Sequence, residues 1–595
     1  MTTLLQHTQI AANNAISHLY GTHITNLQVQ DTRPELAGNY TVVLFALVKQ
    51  LGKPPVIIGN ELGTYLVQQH PGIYNNYEVV NGFLNLTVHT QYLLTVLYNH
   101  YNDVCYAKLP LNGLKVMVEY SSPNTNKPLH LGHLRNNFLG YSIAKIYEAN
   151  GYDVVTSCIV NDRGIHICKS MIAWQLFAEG ATPHSTGTKG DHFVGKYYVL
   201  FNNEYKRQIA ALIASGVAEK EAEKEAPIMK ATQIMLLQWE QGNTQVMELW
   251  RTMNSWVYAG FENTYKTIGT TFTKTYYESN TYLLGKDAVQ LGLAKKVFYQ
   301  KPDGSIWIDL TANGLDEKLV MRADGTSVYI TQDIGLAQQK YEEYGIDKSI
   351  YVVGNEQDYH LAVLKLICQK LQLPYANQIV HLSYGMVELP DGKMKSREGT
   401  VVDADDLIAE MTEKSSLATA KHGKPEGLTS EQLRELYSTI ALGATKYYLL
   451  KVDPKKKMIF NPEESIEFIG HTGPFVQYTY ARIQSILRKN NVDLTSNKTG
   501  LTTDIILAPL EKKLLIILEQ YSTILQLACN NHNPSEVANY VFSVAKTYNS
   551  FYAEHSVTNA ETPATKELRL LLSCFTANVI KSCMTLLGIT VPNQM

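Results

Sequence analysis

One stretch constrains this chain more than any other: Glu119-Tyr-Ser-Ser-Pro-Asn-Thr-Asn-Lys-Pro-Leu-His-Leu-Gly-His-Leu-Arg135. A strand-like run, Val116-Met117-Val118, precedes it, and a helical pattern with Phe138, Leu139, Ile143, Ile146 and Tyr147 on one face follows it, stopped at Gly151. A second apolar run, Val154 to Val160, comes next. Strand, loop, helix, strand at this spacing is a βαβ unit, and its strands belong to a parallel sheet. The loop carries His130 and His133 around Gly132, at the start of a helix whose free N–H groups favour phosphate oxygens. Two imidazoles there can donate hydrogen bonds as charge develops on a phosphate. A lone pair would better be read as one surface histidine and one packed histidine. The proline, glycine and Arg135 in the same loop favour function.

The loop resembles the HIGH signature of class I aminoacyl-tRNA synthetases, and the longer string Ser121 to Arg135 resembles its arginyl-tRNA synthetase form. The four-residue core is a weak match and the extended string a specific one. Further strings of that family run from the first hundred residues to Leu-Leu-Gly-Ile-Thr-Val-Pro-Asn-Gln-Met595, so the resemblance covers essentially the whole chain.

At 595 residues the chain is too long for one domain. A hydrophobic content of 45% supplies sizeable cores, and a net charge of −3 argues against a general DNA-coating protein while leaving room for local basic surfaces. Seven cysteines with no Cys-x-x-Cys fit a reduced, cytoplasmic protein without disulfides or zinc. No run is long enough to span a membrane, and no secretory leader is evident.

The fold class expected is a split Rossmann, doubly wound α/β catalytic core with an N-terminal α+β domain and a C-terminal all-α bundle. Residues 1–110 form the first domain: an opening helix to Gly21, a strand at Ile24–Val29, helices over Tyr40–Val48 and Ile58–Leu66, and one closing strand over Val79–Val88. The resemblance implies that this domain touches the elbow of a tRNA, with Phe83 and Asn85 as contacts; a buried Phe and a turn Asn would explain them as well.

Residues 113–430 form the catalytic domain, with a helical insertion over about 166–300. In the insertion Glu219–Glu225 reads as a solvated helix face, and Val246, Leu249, Trp250, Met253 and Val257 as packing. Tyr276-Tyr-Glu-Ser279 and Tyr282-Leu-Leu-Gly-Lys286 match strings of the family without an evident chemistry. The sheet is expected to resume at Asp303–Asp309, with Thr331 as an N-cap and further strands at Ile350–Val353 and Ile379–Leu382.

Beyond it lies Gly392-Lys-Met-Lys-Ser-Arg-Glu-Gly399, a basic loop that resembles the KMSKS loop of class I enzymes. Its second lysine is replaced by Ser396. Arginyl enzymes with such a loop carry a lysine ahead of the HIGH signature, and Lys127 stands there. Residues 431–595 read as helices, beginning with a long one through Lys489 and continuing with three more, and resemble the anticodon-binding bundle. Ala441 to Met595 carry 15 Lys and Arg against 12 Asp and Glu.

The resemblance implies an arginine–tRNA ligase that makes arginyl-adenylate from L-arginine and ATP and passes arginine to the 3′ end of its tRNA. Catalysis falls to Lys127, His130, His133, Lys393 and Lys395. ATP is held by His130, Leu131, Gly132, His133, Lys393, Met394, Lys395, Ser396 and Arg397. Arginine is held by Glu119, Ser122, Pro123, Asn124, His133, Tyr329, Asp333 and Gln357. A guanidinium requires carboxylates placed for bidentate bonding, which singles out Asp333 and then Glu119. Such a site rejects neutral amino acids, in keeping with the lack of an editing-like segment. The tRNA contacts implied are Phe83, Asn85, Phe475, Tyr478, Arg482, Tyr552 and Met595; most aromatics of a helical bundle pack between helices, and each of these has that alternative. ATP is expected with Mg²⁺, no protein-bound metal, no membrane partner, and a monomer. A synthetase for another amino acid would not keep Asp333 with Glu119, a small-molecule ATP ligase would lack the bundle, and a non-catalytic tRNA-binding paralogue would lose His130, His133 or the Lys393 loop.

Overall fold

The computed structural model describes all residues except 1–2, 26, 34, 391–401, 423–426 and 492–504. They form two compact units, one of Leu111–Ala418 with Ala444–Ile466, the other of Met1–Pro110 with Thr419–Gly443 and Glu467–Met595.

The first unit is built on a five-stranded parallel sheet in the order Ile379–Tyr384, Lys348–Gly354, Lys115–Glu119, Asp153–Val160, Lys274–Tyr277. The central strand is the one the sequence singles out, and Val116, Met117 and Val118 are fully buried in it. A strand covered on both faces needs such an unbroken apolar run. Strand order reverses between Lys115–Glu119 and Lys348–Gly354, which pair through Tyr351 and Glu119 at their carboxyl ends. In open α/β sheets this is where ligands sit.

The insertion is shorter than expected. Its helices run from Ile165–Phe177 to Thr244–Ile268, and the main sheet resumes at Lys274–Tyr277, so Tyr276 and Tyr277 close a sheet strand. Asp303–Asp309 does not resume the main sheet. The Asp-Gly turn makes a hairpin there, and Tyr299–Gln300, Ile306–Ile308 and Lys318–Met321 form a separate antiparallel sheet. Thr331 is not an N-cap: the helix Tyr329–Tyr344 starts two residues earlier with Val328 at the cap, and Thr331 is fully buried with its hydroxyl on the Val320 carbonyl. The change of pattern near 430 does not coincide with the edge of this unit. Ala444–Ile466 packs with the catalytic residues and contributes the strand Met458–Ile459, parallel to Val387–Glu388.

In the second unit, a four-stranded antiparallel sheet has the order Val29–Asp31, Tyr40–Val43, Phe83–Val88, Tyr74–Val80. The helix expected over Tyr40–Val48 starts only at Phe45, because the β-branched run Thr41-Val42-Val43 takes the sheet. The single strand expected over Val79–Val88 is a hairpin turning at Asn81-Gly82, a strong hairpin signal that the sequence reading passed over. After Gly473–Lys489 the described residues of the bundle form four helices rather than three, Pro509–Glu519, Tyr521–Asn530, Ser535–Glu554 and Pro563–Leu586. All seven cysteines are free thiols and six are buried.

Candidate active site

The helix Leu131–Ala149 begins at the signature loop, and its two histidines cap it reciprocally. His130 Nδ1 accepts the Gly132 N–H at 3.1 Å, and His133 Nδ1 accepts the His130 N–H at 3.1 Å. Both rings therefore accept at Nδ1, which assigns the proton of each neutral ring to Nε2. The rings lie with centroids 3.9 Å apart. Gly132 lets the His130 ring lie close: a Cβ there would stand 3.0 Å from His130 Cε1, and the imidazole would have to shift by a few tenths of an ångström. Burial, helped by Lys127, pushes His130 down to about 3. Burial, His130 and Lys127 push His133 well below the usual histidine range. The pair thus offers two uncharged N–H donors.

Arg135 and Asn136 serve the architecture. Arg135 is fully buried and donates to the carbonyls of Gly385, Met386, Pro454 and Lys456. It ties the chain entering the basic loop to the segment following Leu450. Asn136 accepts the Ser121 N–H at 2.6 Å and donates to Val352 O at 2.8 Å, bridging the ends of the two strands at the switch point. Arg135 is thereby a structural clamp rather than a ligand, a role that short sequence context could not reveal.

Lys393, Met394, Lys395, Ser396 and Arg397 lie outside the described residues. The chain just after them is described. Leu131 N donates to Val402 O at 3.2 Å and Ala404 N to Leu129 O at 3.0 Å, so the chain that follows the basic loop runs antiparallel to the HIGH residues. A cavity of about 250 Å³ beside this junction is lined by Lys127, His130, His192, Lys196, Tyr198 and Asp403, among others.

The residues offered for arginine lie at the carboxyl ends of the strands. Pro123 is buried, Ser122 half-buried and Asn124 exposed; Asn124 bridges to Asn161 beyond Asp153–Val160. Gln357 is exposed, just past Lys348–Gly354. Tyr329 is 73% exposed and shares a cavity of about 260 Å³ with His360. Asp333 lies one turn into its helix, half-exposed, with Oδ2 2.5 Å from His360 Nε2. Glu119 is not an open carboxylate: Lys340, fully buried, places Nζ 2.5 Å from its Oε2. Glu119 holds Lys340 charged against burial, raising its pKa.

Sequence reasoning passed over a further carboxylate, Glu278. Burial raises it to about 7, opposed by Arg163 and assisted by Asp162 and Asp333. Its string was legible, but nothing in a strand end announces that Asp333, distant in sequence, shares its field. Asp162 is buried and takes hydrogen bonds from Tyr258, Ser279 N and Ser279 Oγ at 2.7–2.8 Å, which fixes the Glu278 turn.

The family of tRNA synthetases class I (R), catalytic domain, matches residues 100–461, and the DALR anticodon binding domain matches 476–595. The chain is 52% identical over 594 residues to the arginine–tRNA ligase of Flavobacterium psychrophilum, covering 98% of each. It is 47% identical to that of Porphyromonas gingivalis, covering 100% of each. The chain belongs to the arginyl-tRNA synthetase family. The Thermus thermophilus arginyl-tRNA synthetase has the same fold, with a TM-score of 0.81 at 24% identity over 100% of each chain.

In the part matching the anticodon-binding domain, four of the residues expected to touch tRNA converge. Tyr478, Arg482, Tyr552 and Met595 line one cavity of about 500 Å³ with Arg488 and Lys489. The Arg482 guanidinium lies 4.9 Å from the Tyr478 ring and 5.4 Å from the Tyr552 ring, and donates to Asn549 Oδ1 at 2.6 Å. Phe475 lines an adjacent cavity of about 290 Å³. In the N-terminal module, Phe83 is half-buried with Arg33 stacked 5.5 Å from its ring, whereas Asn85 is fully enclosed and accepts from Thr41 Oγ1 at 2.6 Å. Asn85 therefore presents no surface for an outside contact in this structure.

Proposed function

We infer that the protein is an arginine–tRNA ligase whose adenylation centre lies at the switch point of the parallel sheet. The observation that carries the reading is the backbone pairing of Leu129–Leu131 with Val402–Ala404, which brings the HIGH residues and the chain that follows the basic loop to one place.

An oxygen of the arginine carboxylate attacks the α-phosphorus of ATP. The bond to the β-phosphate breaks, and its electron pair leaves with pyrophosphate. The Nε2–H groups of His130 and His133 donate to phosphate oxygens as charge grows on them. Lys127, beside His130 in sequence, supplies the cation that the loop lacks at Ser396, and Lys393, Lys395 and Arg397 supply the others. A ribose hydroxyl of the terminal adenosine then attacks the carbonyl carbon, releasing AMP. ATP enters as its magnesium complex. Among the described residues, the acidic cluster Asp191–His192–Asp405 is already filled by the Lys189 ammonium, 3.0 Å or less from both carboxylates.

The guanidinium goes to Asp333, with Tyr329 beside it and Glu278 adding negative potential; Ser122, Asn124 and Gln357 hold the amino and carboxylate ends. The Tyr478–Arg482–Tyr552 cavity, with Met595 and with Phe475 adjacent, takes unpaired anticodon bases by stacking. Phe83 with Arg33 is the contact for the tRNA elbow. The enzyme works as a monomer in the cytoplasm. Charging of total tRNA with labelled arginine and with labelled lysine tests the reading: arginine is incorporated and lysine is not, and efficient lysine charging overturns it.

A further inference from the structure

The helix Gly190–Ala214 comes from the segment that interrupts the parallel sheet, and the chemistry above makes no use of it. Two contacts set it against the adenylation residues. At Gly195 its backbone comes so close to the signature loop that a Cβ would stand 2.9 Å from Pro128 Cδ and 3.6 Å from Lys127 Cα. One turn earlier, His192 turns Nε2 to two carboxylates, 3.2 Å from Asp403 Oδ2 and 3.2 Å from Asp405 Oδ2. Asp403 directly follows Val402, the residue whose carbonyl accepts Leu131 N–H, and Asp405 stands two residues further on.

The cluster is closed from its other sides. Lys189 Nζ lies 2.6 Å from Asp405 Oδ2 and 3.0 Å from the fully buried Asp191. Thr264, from the helix Thr244–Ile268, donates to Asp405 Oδ1 at 2.9 Å. Hydrogen bonds to Asp403 and Asp405 hold the His192 imidazole protonated, pushed up to about 10. Burial opposes ionisation of Asp405, but His192 and Lys189 hold it well below the usual carboxylate range.

We propose that His192 is a positioning residue for amino-acid activation: its helix holds Val402–Ala404 against the HIGH residues through Asp403 and Asp405, and holds Lys127 through Gly195. The inference rests on the reading of this centre as the site of adenylation. Its physical basis is a comparison of strengths. The two backbone hydrogen bonds joining the segments contribute on the order of 1 kcal/mol each, net. A half-buried ionic network that joins this helix and its cap Lys189 to Asp403 and Asp405, and through Thr264 to the helix Thr244–Ile268, adds to that hold. A misplacement of about 1 Å at reacting groups lowers a rate by roughly a hundredfold.

The test is ATP–pyrophosphate exchange in the presence of arginine and tRNA, with full-length wild type, His192→Gln, His192→Lys and Gly195→Ala. His192→Gln is expected to lower kcat by roughly 10- to 100-fold, with KM for ATP and arginine within about threefold of wild type. His192→Lys, which keeps a cation before Asp403 and Asp405, recovers most of the loss. Gly195→Ala, which pushes on Pro128 next to Lys127, lowers kcat with the same unchanged KM values. A kcat within about threefold of wild type in both His192→Gln and Gly195→Ala overturns the inference. So does a loss carried by KM, or one that lysine does not relieve. If the wild type itself activates no arginine, the adenylation reading falls and takes this inference with it.

Discussion

Lys340 and Glu119 face each other at 2.5 Å across the carboxyl end of the central strand, the lysine fully buried. The pair cancels the charge that Glu119 would otherwise bring to a guanidinium, which is why Asp333 is the proposed principal carboxylate. Removing one partner of a buried ion pair costs about 3–5 kcal/mol, because the other is left charged and unpaired. Lys340→Met is therefore expected to lower the unfolding free energy by that amount, measured by urea denaturation, and the double variant Glu119→Gln/Lys340→Met to regain most of it. A single variant as stable as wild type would show that the pair contributes nothing.

Asp333→Asn removes the charge but keeps the shape. Charge-assisted hydrogen bonds contribute roughly 1.5–3 kcal/mol, so KM for arginine is expected to rise about ten- to a hundredfold while KM for ATP stays near wild type. Steady-state exchange kinetics with each substrate varied decides it.

Lys127→Ala removes a cation whose effect is greatest as the bond to pyrophosphate lengthens. Exchange should slow by about 10²–10³ with little change in KM for ATP. The same assay without tRNA should show no exchange in wild type, as the family resemblance implies.

Tyr552→Ala opens one side of the Arg482 sandwich. Stacking of a base on an aromatic ring is worth about 1–3 kcal/mol, so KM for tRNA is expected to rise roughly five- to a hundredfold, with tRNA-independent binding of ATP unchanged. Aminoacylation at varied tRNA concentration checks it.

Glu519 links the first helix to the bundle within one unit, accepting the Leu4 N–H at 2.6 Å. Burial raises its carboxyl from 4.5 to about 7. Between these values the folded state binds a proton that the unfolded state has released, so stability falls as pH rises through the window, by up to about 3 kcal/mol. Glu519→Gln keeps the acceptor and removes the titration. It should be more stable than wild type at pH 8 and equal to it near pH 4.5, as read from melting temperatures across pH.

The sequence by itself determined the βαβ core, the two histidines at a helix start and the helical C-terminal third. Each of these is a local matter: periodicity, capping and a buried strand's unbroken Val116-Met117-Val118 are set by neighbours in the chain. It misjudged Tyr40–Val48, whose β-branched start takes a sheet, Asp303–Asp309, whose hairpin belongs to a separate sheet, and Thr331, which is buried inside its helix. Tertiary structure alone decided the partners of charge. Arg135 on carbonyls near 385 and 455, Lys340 on Glu119, and His192 on Asp403 and Asp405 each join groups more than 200 residues apart. Burial makes such pairings obligatory, since a charge removed from water must find its counterpart. Which counterpart it finds depends on where the folded chain brings distant segments together.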